Sequence, residues 1–409
     1  MKILAVTNLF PNPYQPLRAP FNRQLFRALG EQTSLQVISP IAWTDEVAGR
    51  RGGKGLPRDR RVTLDGLTID HPVYLYTPKI LRHLYGRFYC FSVRKAFARV
   101  LDEFRPDIVF APWAYPDGWA AVELGHAAGL PVVVKVHGSD IRVLSHYLGR
   151  RRRTVEALQR AEAIVAVSQE LAGQMMDLSV NPEKIHVSYS GVDSRLFHPG
   201  SRKEARVKLG LPEQDPILLF IGNLLHVKGV DLLIESCSLL ARAGHEFTCY
   251  LIGQGPLRAG LEREIARLGL EGRIRFLGPR PHDQLPDWFR AANVFVLPSR
   301  SEGLPTVLLE ALACGTPFVA SRVGGIPELA HLGPSRLVRP NDPGKLAEAI
   351  RLSIEESKVS TEVAPVQPRL RTYDEEASDL ATFLETVKHA YRNSAKPAIH
   401  SPFAGHSMD

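Results

Sequence analysis

The sequence has no apolar run that approaches the roughly 18 residues needed to cross a bilayer, so no transmembrane helix is expected. Cysteine is scarce: Cys90, Cys237, Cys249 and Cys314 are scattered and form neither a metal-ligand set nor a redox pair. Three of them lie in apolar surroundings, which is typical of inert packing residues in a reducing cytoplasm. The first residues, MKILAVTNLFPNP, have too short an apolar core for a signal peptide and are predicted to form a buried strand.

Acidic residues are fewer than basic ones, 43 Asp and Glu against 51 Lys and Arg, which gives a net charge of +8. The excess implies an anionic partner, which leaves phosphate-bearing substrates, an anionic membrane surface and nucleic acid. Zinc-finger spacings and other nucleic-acid-binding motifs are absent, so no nucleic-acid partner is predicted. The chain has 409 residues, 44% of them hydrophobic, which is enough for two globular domains with separate cores.

The first half of the chain alternates short apolar runs with helical patterns, which predicts an α/β fold with a parallel sheet covered on both faces. Its candidate strands are residues 3–6, 35–38, 108–110, 132–136, 164–167 and 185–187. An amphipathic helix is predicted over residues 21–29. The glycine-rich segment 50–61 neither follows a strand nor opens a helix, so it is predicted to be a mobile surface loop that does not cradle phosphate.

Two basic segments stand out in this half. Residues 79–99 interleave basic and apolar side chains, and two interpretations stay open. The segment either lies on an anionic membrane surface or forms a helix with one face in the core and a solvated basic face. The four arginines at 150–153 are interpreted as a solvated charge run.

A polar cluster of His137, Gly138, Ser139 and Asp140 directly follows the candidate strand at 132–136. Polar side chains at the carboxyl end of a strand, with a glycine that permits close approach, indicate a candidate ligand site. The alternative for the histidine is a structural residue with satisfied hydrogen bonds.

The second half repeats the alternation after a pause at residues 197–201, which is the predicted domain linker. Its strands are predicted at 217–221, 248–252, 274–277, 294–297 and 318–320, with helices near 229–242, 256–268, 283–291 and 305–313. A loose stretch over 355–370 precedes a last helical pattern over 374–391, and the tail 393–409 is predicted to be disordered.

The strand at 217–221 runs into Gly222, Asn223 and Leu224, and Lys228 follows just before a helix. A lysine in this position can place its charge on a phosphate that the helix amides hold. An exposed lysine in a surface turn is the alternative.

The stretch PSRSEGLPTVLLEALACGTPFVASRVGGIPE, residues 298–328, predicts a strand–turn–helix–strand unit. Pro305 suits the first helical position, and Gly315 marks the end of the helix. With a rise of about 1.5 Å per residue, the backbones of Glu302 and Glu310 would lie on the order of 12 Å apart. That span suits the two ends of one long ligand, with free N–H groups at the helix N-terminus between them for an anion. Two unrelated surface glutamates are the alternative.

Taken together, these stretches resemble the family 4 glycosyltransferases, which are retaining enzymes of the GT-B fold. The match runs through PDGWAAVELGHAAGLP, VHGSD, IHVSYSGVD, LFHP, IGNL, LIGQGPLRAGLE and, most specifically, SEGLPTVLLEALACGTPFVASRVGGIPE. The resemblance implies two facing, doubly wound Rossmann-like domains with the active site in the cleft. The acceptor-side domain would span 1–198 and the nucleotide-sugar domain 199–373, with a helix over 374–392 crossing back to the first.

The resemblance also implies roles for individual residues. Glu302 would lie near the hydroxyls of the donor sugar, and Glu310 would hold the ribose. Lys228 would neutralise the leaving diphosphate, and His137 would lie near the transferred sugar. Gly303 and Leu304 would add backbone contacts. The implied catalytic residues are therefore Glu302, His137 and Lys228, and the implied donor-binding residues are Gly222, Asn223, Lys228, Gly303, Leu304 and Glu310.

The sequence departs from the family pattern at three places. Asn223 stands where the family commonly has an arginine, which removes one expected cation and makes Arg280 or Arg300 a candidate compensator. Residues 16–21 replace the glycine-rich loop that often follows the first strand, and Ser190 replaces the usual asparagine.

The leading functional prediction is the transfer of a hexose from a UDP- or GDP-sugar to a saccharide or lipid-linked acceptor, for surface polysaccharide synthesis. No Asp-any-Asp triplet occurs, so no metal or other cofactor is predicted. The protein would act in the cytoplasm, and at the inner face of the membrane under the first of the two interpretations of residues 79–99. The alternatives are a nucleotide-sugar epimerase on the same fold and a catalytically weak partner subunit that binds a nucleotide-sugar.

Overall fold

The computed structural model describes residues 1–51, 55–56, 58–142, 147–359 and 369–394. The chain forms two compact units: residues 1–189 together with the chain from Tyr373 onward, and residues 190–372. The predicted linker at 197–201 therefore belongs to the second unit. The reason is that Phe197 is buried there, with its ring centroid 6.0 Å from that of Phe289.

Unit 1 contains an eight-stranded sheet and a separate two-stranded pair. Its strands are β1 (Lys2–Val6), β2 (Ser34–Ile38), β3 (Ile41–Ala42), β4 (Arg61–Leu64), β5 (Leu67–Asp70), β6 (Val73–Tyr74), β7 (Ile108–Ala111), β8 (Val132–Val136), β9 (Ala163–Ala166) and β10 (Ile185–Val187). The large sheet has the order β10-β9-β8-β7-β1-β2-β5-β4, and only β4 runs antiparallel to its neighbour. The strand order runs outward from β1 and β7, so the topological switch point lies between their carboxyl ends.

The helices of unit 1 cover a sheet whose central strands are buried on both faces, as continuous apolar runs predict. They are α1 (Pro20–Gln32), α2 (Trp43–Arg51), α3 (Tyr85–Phe104), α4 (Trp119–Ala127), α5 (Ser139–Arg142), α6 (Leu148–Arg160) and α7 (Gln169–Asp177). The predicted loop at 50–61 lies partly outside the described residues, and its described ends belong to α2 and β4. Residues 79–99 form a 3₁₀ turn (Arg82–Leu84) and most of α3.

Unit 2 is a six-stranded, fully parallel sheet. Its strands are β11 (Ile217–Ile221), β12 (Thr248–Ile252), β13 (Ile274–Gly278), β14 (Val294–Leu297), β15 (Phe318–Ser321) and β16 (Ser335–Val338). Its helices are α8 (Arg202–Leu209), α9 (Val230–Arg242), α10 (Arg258–Arg267), α11 (Leu285–Ala291), α12 (Thr306–Ala313), α13 (Ile326–Leu329) and α14 (Pro343–Val359). The order β13-β12-β11-β14-β15-β16 is that of a Rossmann-type sheet, with its switch point between β11 and β14.

The C-terminal helix α15 (Tyr373–Ser394) belongs to unit 1 and packs against α1. It confirms the predicted helical pattern at 374–391. The prediction of a loose stretch over 355–370 is wrong at its start, because α14 continues to Val359 through Ile354, which is buried. Residues 360–368 and the predicted disordered tail beyond residue 394 lie outside the described residues. Among the described helices, none combines the length and hydropathy needed for a membrane span.

Candidate active site

The carboxyl ends of β11 and β14 lie side by side in unit 2 and bring two loops together. Residues 222–229 follow β11, and residues 298–305 follow β14. In an open parallel sheet, ligands bind outside the carboxyl ends of the strands at the switch point. These two loops therefore form the candidate binding site of this unit.

Lys228 and Glu302 form an ion pair across the two loops. Nζ of Lys228 lies 2.6 Å from Oε1 of Glu302, and the hydroxyl of Ser299 donates a hydrogen bond of 2.6 Å to the same oxygen. The carboxylate is 9% exposed and the lysine side chain 24% exposed. A cation and an acid are thus fixed together at the switch point, with part of the lysine open to solvent.

Backbone contacts hold the two loops at a fixed separation. The N–H group of Arg300 donates to the carbonyl oxygen of Val227 at 2.7 Å. Gly229 has a φ of +65°, and a Cβ atom on it would lie 2.0 Å from the carbonyl oxygen of Pro298. Only glycine fits this position, because the conformation and the available space both exclude a side chain. Gly229, next to Lys228, therefore allows the two loops to approach this closely.

Two backbone N–H groups directly after Glu302 make no hydrogen bond within the described residues. Gly303 and Leu304 are buried, and neither N–H group donates to another atom in the described part of the chain. Helix α12 begins two residues later, and its first turn adds further N–H groups of the kind that binds anions. This group of amides lies next to Glu302 along the chain.

The start of α12 differs from the sequence prediction by one residue. Pro305 has φ −76° and ψ 108°, so it precedes the helix, and Thr306 is the first helical residue. The estimate of about 12 Å between the two glutamate backbones assumed a helix along the whole segment. Only its second half is helical, so the rise per residue does not apply to the part before Thr306.

Glu310, on α12, is bound by a histidine that the sequence analysis did not single out. Nε2 of His282 lies 2.9 Å from Oε1 of Glu310, and their side chains are 18% and 9% exposed. Burial lowers the pKa of His282, but the hydrogen bond and the charge of Glu310 more than offset this effect and raise the pKa. The ring of Phe197 packs 4.9 Å from the imidazole. A signal was available, since His282 follows the end of β13 much as His137 follows β8.

The remaining predicted donor-binding residues follow β11. The N–H group of Gly222 donates to Ile252 on the neighbouring strand at 2.9 Å. Asn223 is exposed, and its side chain makes no hydrogen bond in the described part of the chain. The structure therefore places Gly222, Asn223 and Lys228 on one loop, and Glu302, Gly303 and Leu304 on the loop beside it.

Neither candidate compensator for Asn223 supplies a fixed, unpaired cation. The guanidinium of Arg300 forms an ion pair of 2.6 Å with Asp231 and donates to Asn341 at 2.8 Å, so its charge is already neutralised. Arg280 is exposed beyond the end of β13 and forms no ion pair within the described residues. Lys228 is paired as well, with Glu302 at 2.6 Å, and it is the one lysine or arginine on the loop that follows β11.

His137 lies in unit 1, directly after β8. Its ring packs 4.9 Å from that of Phe21 and 6.4 Å from that of Trp113, and Nε2 is buried with no hydrogen-bond partner in the described part of the chain. Burial lowers the pKa of His137 well below its usual value, with a further contribution from Lys135. His137 is therefore neutral at pH 7 and has one ring nitrogen without a partner.

Two buried carboxyl groups support the loops at the same edge of unit 1. Asp117 accepts hydrogen bonds from the N–H group and side-chain amide of Asn8, at 2.6 and 2.9 Å, and burial raises its pKa to about 7. Asp140 accepts from the N–H groups of His137 and Gly138, at 3.1 and 2.8 Å, and burial raises its pKa to about 6. The sequence analysis named Asp140 only as a member of the polar cluster, and it did not identify Asp117.

Two family models match the chain. Residues 46–196 match the model described as Glycosyltransferase Family 4, and residues 201–365 match the model described as Glycosyl transferases group 1. The two matched ranges include all eight predicted site residues.

Curated relatives and a solved structure agree with these matches. A D-inositol 3-phosphate glycosyltransferase of Catenulispora acidiphila is 33% identical over 291 residues, which cover 64% of this chain and 69% of that protein. The putative teichuronic acid biosynthesis glycosyltransferase TuaC of Bacillus subtilis is 29% identical over 368 residues, which cover 86% and 88%. HepE of Anabaena in complex with UDP-glucose superposes with a TM-score of 0.68 at 21% identity, over 96% of this chain and 99% of that one. The chain therefore belongs to glycosyltransferase family 4 and has the GT-B fold, as the sequence resemblance predicted.

Proposed function

We propose that this glycosyltransferase transfers a hexose from a UDP- or GDP-sugar, with retention of configuration, to a saccharide or lipid-linked saccharide acceptor. The observation that carries the proposal is the ion pair of 2.6 Å between Lys228 and Glu302 at the switch point of unit 2. Lys228 supplies positive charge, and the amides of Gly303 and Leu304, which directly follow its partner Glu302 in the chain, supply N–H donors; a diphosphate requires both.

The binding of the donor would divide between two glutamates. Glu310, fixed by His282 at 2.9 Å, can accept hydrogen bonds from the ribose hydroxyls. Glu302 can accept from the hydroxyls of the sugar once a phosphate competes for Lys228. The UDP-glucose in the HepE complex supports a nucleotide-sugar as the donor class.

In the proposed reaction, the bond between the anomeric carbon and the phosphate oxygen breaks, and the acceptor oxygen bonds to that carbon on the same face. The acceptor proton passes to the leaving phosphate. Negative charge develops on the leaving group, so a cation and amide groups aimed at it lower the barrier. Lys228 supplies this charge, and no side-chain nucleophile is required. We include metal independence in the proposal because the sequence lacks an Asp-any-Asp triplet.

The proposed role is the synthesis of a cell-surface polysaccharide in the cytoplasm, with residues 79–99 at the inner face of the membrane. The similarity to TuaC, a putative teichuronic acid biosynthesis glycosyltransferase, supports this pathway class. A panel of UDP- and GDP-sugars, tested by thermal shift, identifies the donor. A rise in melting temperature with one nucleotide class supports the proposal, and the absence of any shift across the panel contradicts it.

A second candidate, a catalytically weak subunit that binds the donor for another transferase, is favoured by one observation. Asn223 is uncharged, and Arg300 and Lys228 are each paired with a carboxylate at 2.6 Å, that of Asp231 and that of Glu302, so the described loops offer the diphosphate no unpaired lysine or arginine. Donor binding without release of nucleoside diphosphate, across a pool of saccharide and lipid-linked acceptors, would favour this alternative. Formation of an altered free nucleotide-sugar without an acceptor would instead indicate an epimerase.

A further inference from the structure

Four large apolar side chains project from unit 1 into solvent. Ile80 is 65% exposed, Leu81 45%, Tyr147 54% and Leu148 84%. Singly exposed apolar residues are ordinary, but a contiguous group of this kind marks an interaction surface. The first two precede the 3₁₀ turn Arg82–Leu84, and the other two are at the start of α6.

The fold brings these two segments into contact although more than sixty residues separate them in the sequence. A Cβ atom on Gly149 would lie 2.9 Å from Cβ of His83, so the start of α6 touches the 3₁₀ turn. Arg82 lowers the pKa of Arg150 electrostatically, in addition to the larger effect of burial, because the two charges are near each other. Ile80, Leu81, Tyr147 and Leu148 therefore belong to one surface, which we call the apolar tip.

The apolar tip is anchored to the body of the unit on its inner side. The hydroxyl of Tyr85 donates to the carbonyl oxygen of Thr77 at 2.7 Å, and that of Tyr115 donates to the carbonyl oxygen of Arg82 at 3.2 Å. These hydrogen bonds fix the position of the backbone over residues 77–82. They give no reason for the exposure of the apolar side chains.

The two chain segments that form the apolar tip carry basic residues and no acidic ones. No Asp or Glu occurs between residues 71 and 101, or between 141 and 155, whereas both ranges are rich in Arg and Lys. Exposed basic residues in these two segments include Lys79, Arg82, Arg87, Arg151 and Arg152. The arginine run at 150–153 begins next to the contact between Gly149 and His83, so it adds basic residues to the surface that residues 79–99 form.

We propose that the apolar tip and its basic rim dock unit 1 on an anionic lipid bilayer. The apolar side chains would enter the headgroup region, where tyrosine is also favoured, and the arginines would contact lipid phosphates. Exposed apolar side chains accompanied by basic residues match the surface of an anionic lipid bilayer. A protein partner would instead need an acidic site shaped to receive them. The inference extends the membrane contact proposed for residues 79–99 to Tyr147–Arg152, and its test does not depend on sugar transfer.

The test is flotation of the purified full chain with lipid vesicles, followed by two double variants. Vesicles of phosphatidylcholine mixed with phosphatidylglycerol are compared with vesicles of phosphatidylcholine alone. Ile80→Ser/Leu148→Ser removes the tip, and Arg151→Gln/Arg152→Gln removes part of the rim. The matched controls are Val207→Ser, at a site that is 73% exposed in unit 2, and Arg242→Gln/Arg263→Gln, which removes the same charge elsewhere.

Wild-type protein and both controls should float with the anionic vesicles and not with the neutral ones. Arg151→Gln/Arg152→Gln should partition at least about tenfold more weakly, since one basic residue near an anionic surface is worth roughly fivefold in binding. Ile80→Ser/Leu148→Ser should partition at least about tenfold more weakly as well, because two large apolar side chains no longer enter the headgroup region. All these residues are on the surface, and circular dichroism verifies that the variants fold. Absence of wild-type flotation with anionic vesicles would overturn the inference and leave a protein partner as the occupant of the surface. Undiminished flotation of the tip variant would overturn it as well.

Discussion

Nζ of Lys228 lies 2.6 Å from Oε1 of Glu302, although 74 positions separate the two residues in the sequence. The pairing exists because β11 and β14 are neighbours at the switch point of a parallel sheet, so the loops after them meet. A phosphate that approaches Lys228 competes with Glu302 for the same ammonium group. Binding of the donor is then expected to free the glutamate for the hydroxyls of the sugar.

The two glutamates should separate donor binding from turnover. Glu310→Ala removes the acid that His282 fixes, so it should abolish the thermal shift with the donor. Glu302→Ala should keep much of that shift and lower kcat by about a hundredfold, as expected for a contact made mainly in the transition state. Thermal shift and initial rates measured on both variants test this division. Wild-type turnover in Glu302→Ala would contradict the role given to its side chain.

The pairing of His282 with Glu310 predicts a pH dependence of stability. The pKa of His282 is raised in the folded protein above its ordinary value of 6.5. The contribution of protonated His282 to the free energy of unfolding is therefore fully present below about pH 6.5 and is lost as the pH rises through the folded-state pKa. Urea unfolding between pH 6 and 9 should show this decline in the wild type and a flatter profile in His282→Gln. If the two proteins lose stability in parallel as the pH rises, the pair of His282 and Glu310 does not cause the pH dependence.

The raised pKa of Asp117 predicts a second pH dependence of stability, at lower pH. Burial raises its pKa to about 7, whereas an unfolded aspartate titrates near 4, so the folded state holds a proton that the unfolded state releases. Stability should therefore fall as the pH rises from about 4 to about 7, by up to about 1.4 kcal/mol per pH unit from this group.

Asp117→Asn should flatten the same profile, measured by urea unfolding, because the amide does not titrate. The residual slope in the variant comes in part from Asp140, whose pKa is also raised, to about 6. A slope equal to that of the wild type would refute the assignment of this proton to Asp117.

The buried ion pair between Lys135 on β8 and Glu376 on α15 should hold the C-terminal helix on unit 1. Both side chains are 2% exposed, so loss of one leaves an uncompensated charge in the core. Glu376→Gln should destabilise the protein by about 3–5 kcal/mol, measured by urea unfolding. Lys135→Met/Glu376→Leu should recover most of that loss, because an apolar pair of similar volume replaces the two charges. If the double variant is no more stable than Glu376→Gln, the explanation by an unpaired charge fails.

The sequence predicts most strands of both sheets because their central strands are continuous apolar runs, which leave little ambiguity about burial. The hairpin of β4 and β5 was missed, although Asp65 and Gly66 between two alternating runs are a strong turn signal, and both have positive φ. Strand β16 was missed for a different reason. Its sequence SRLV is short and half-exposed, so it lacks the apolar run that marks a buried strand.

The candidate site was predictable where residues are close in sequence, and less so where the fold joins distant ones. Glu302, Gly303 and Leu304 belong to one specific stretch, and Lys228 follows a strand. The contact between Lys228 and Glu302 depends on the order of strands, which no local pattern contains. His282 was missed because a single histidine after a strand is a weak signal until the structure places it beside Glu310.

The most direct test of the account is the release of nucleoside diphosphate from UDP- and GDP-hexoses in the presence of a pool of saccharide and lipid-linked acceptors. Wild-type protein and Lys203→Ala, a control for loss of an exposed lysine in the same unit, should release it at the same rate. Lys228→Ala should lower kcat by about a hundredfold or more, because the leaving phosphate loses its cation. Equal rates for Lys228→Ala and the wild type would contradict the claim that this lysine neutralises the leaving group.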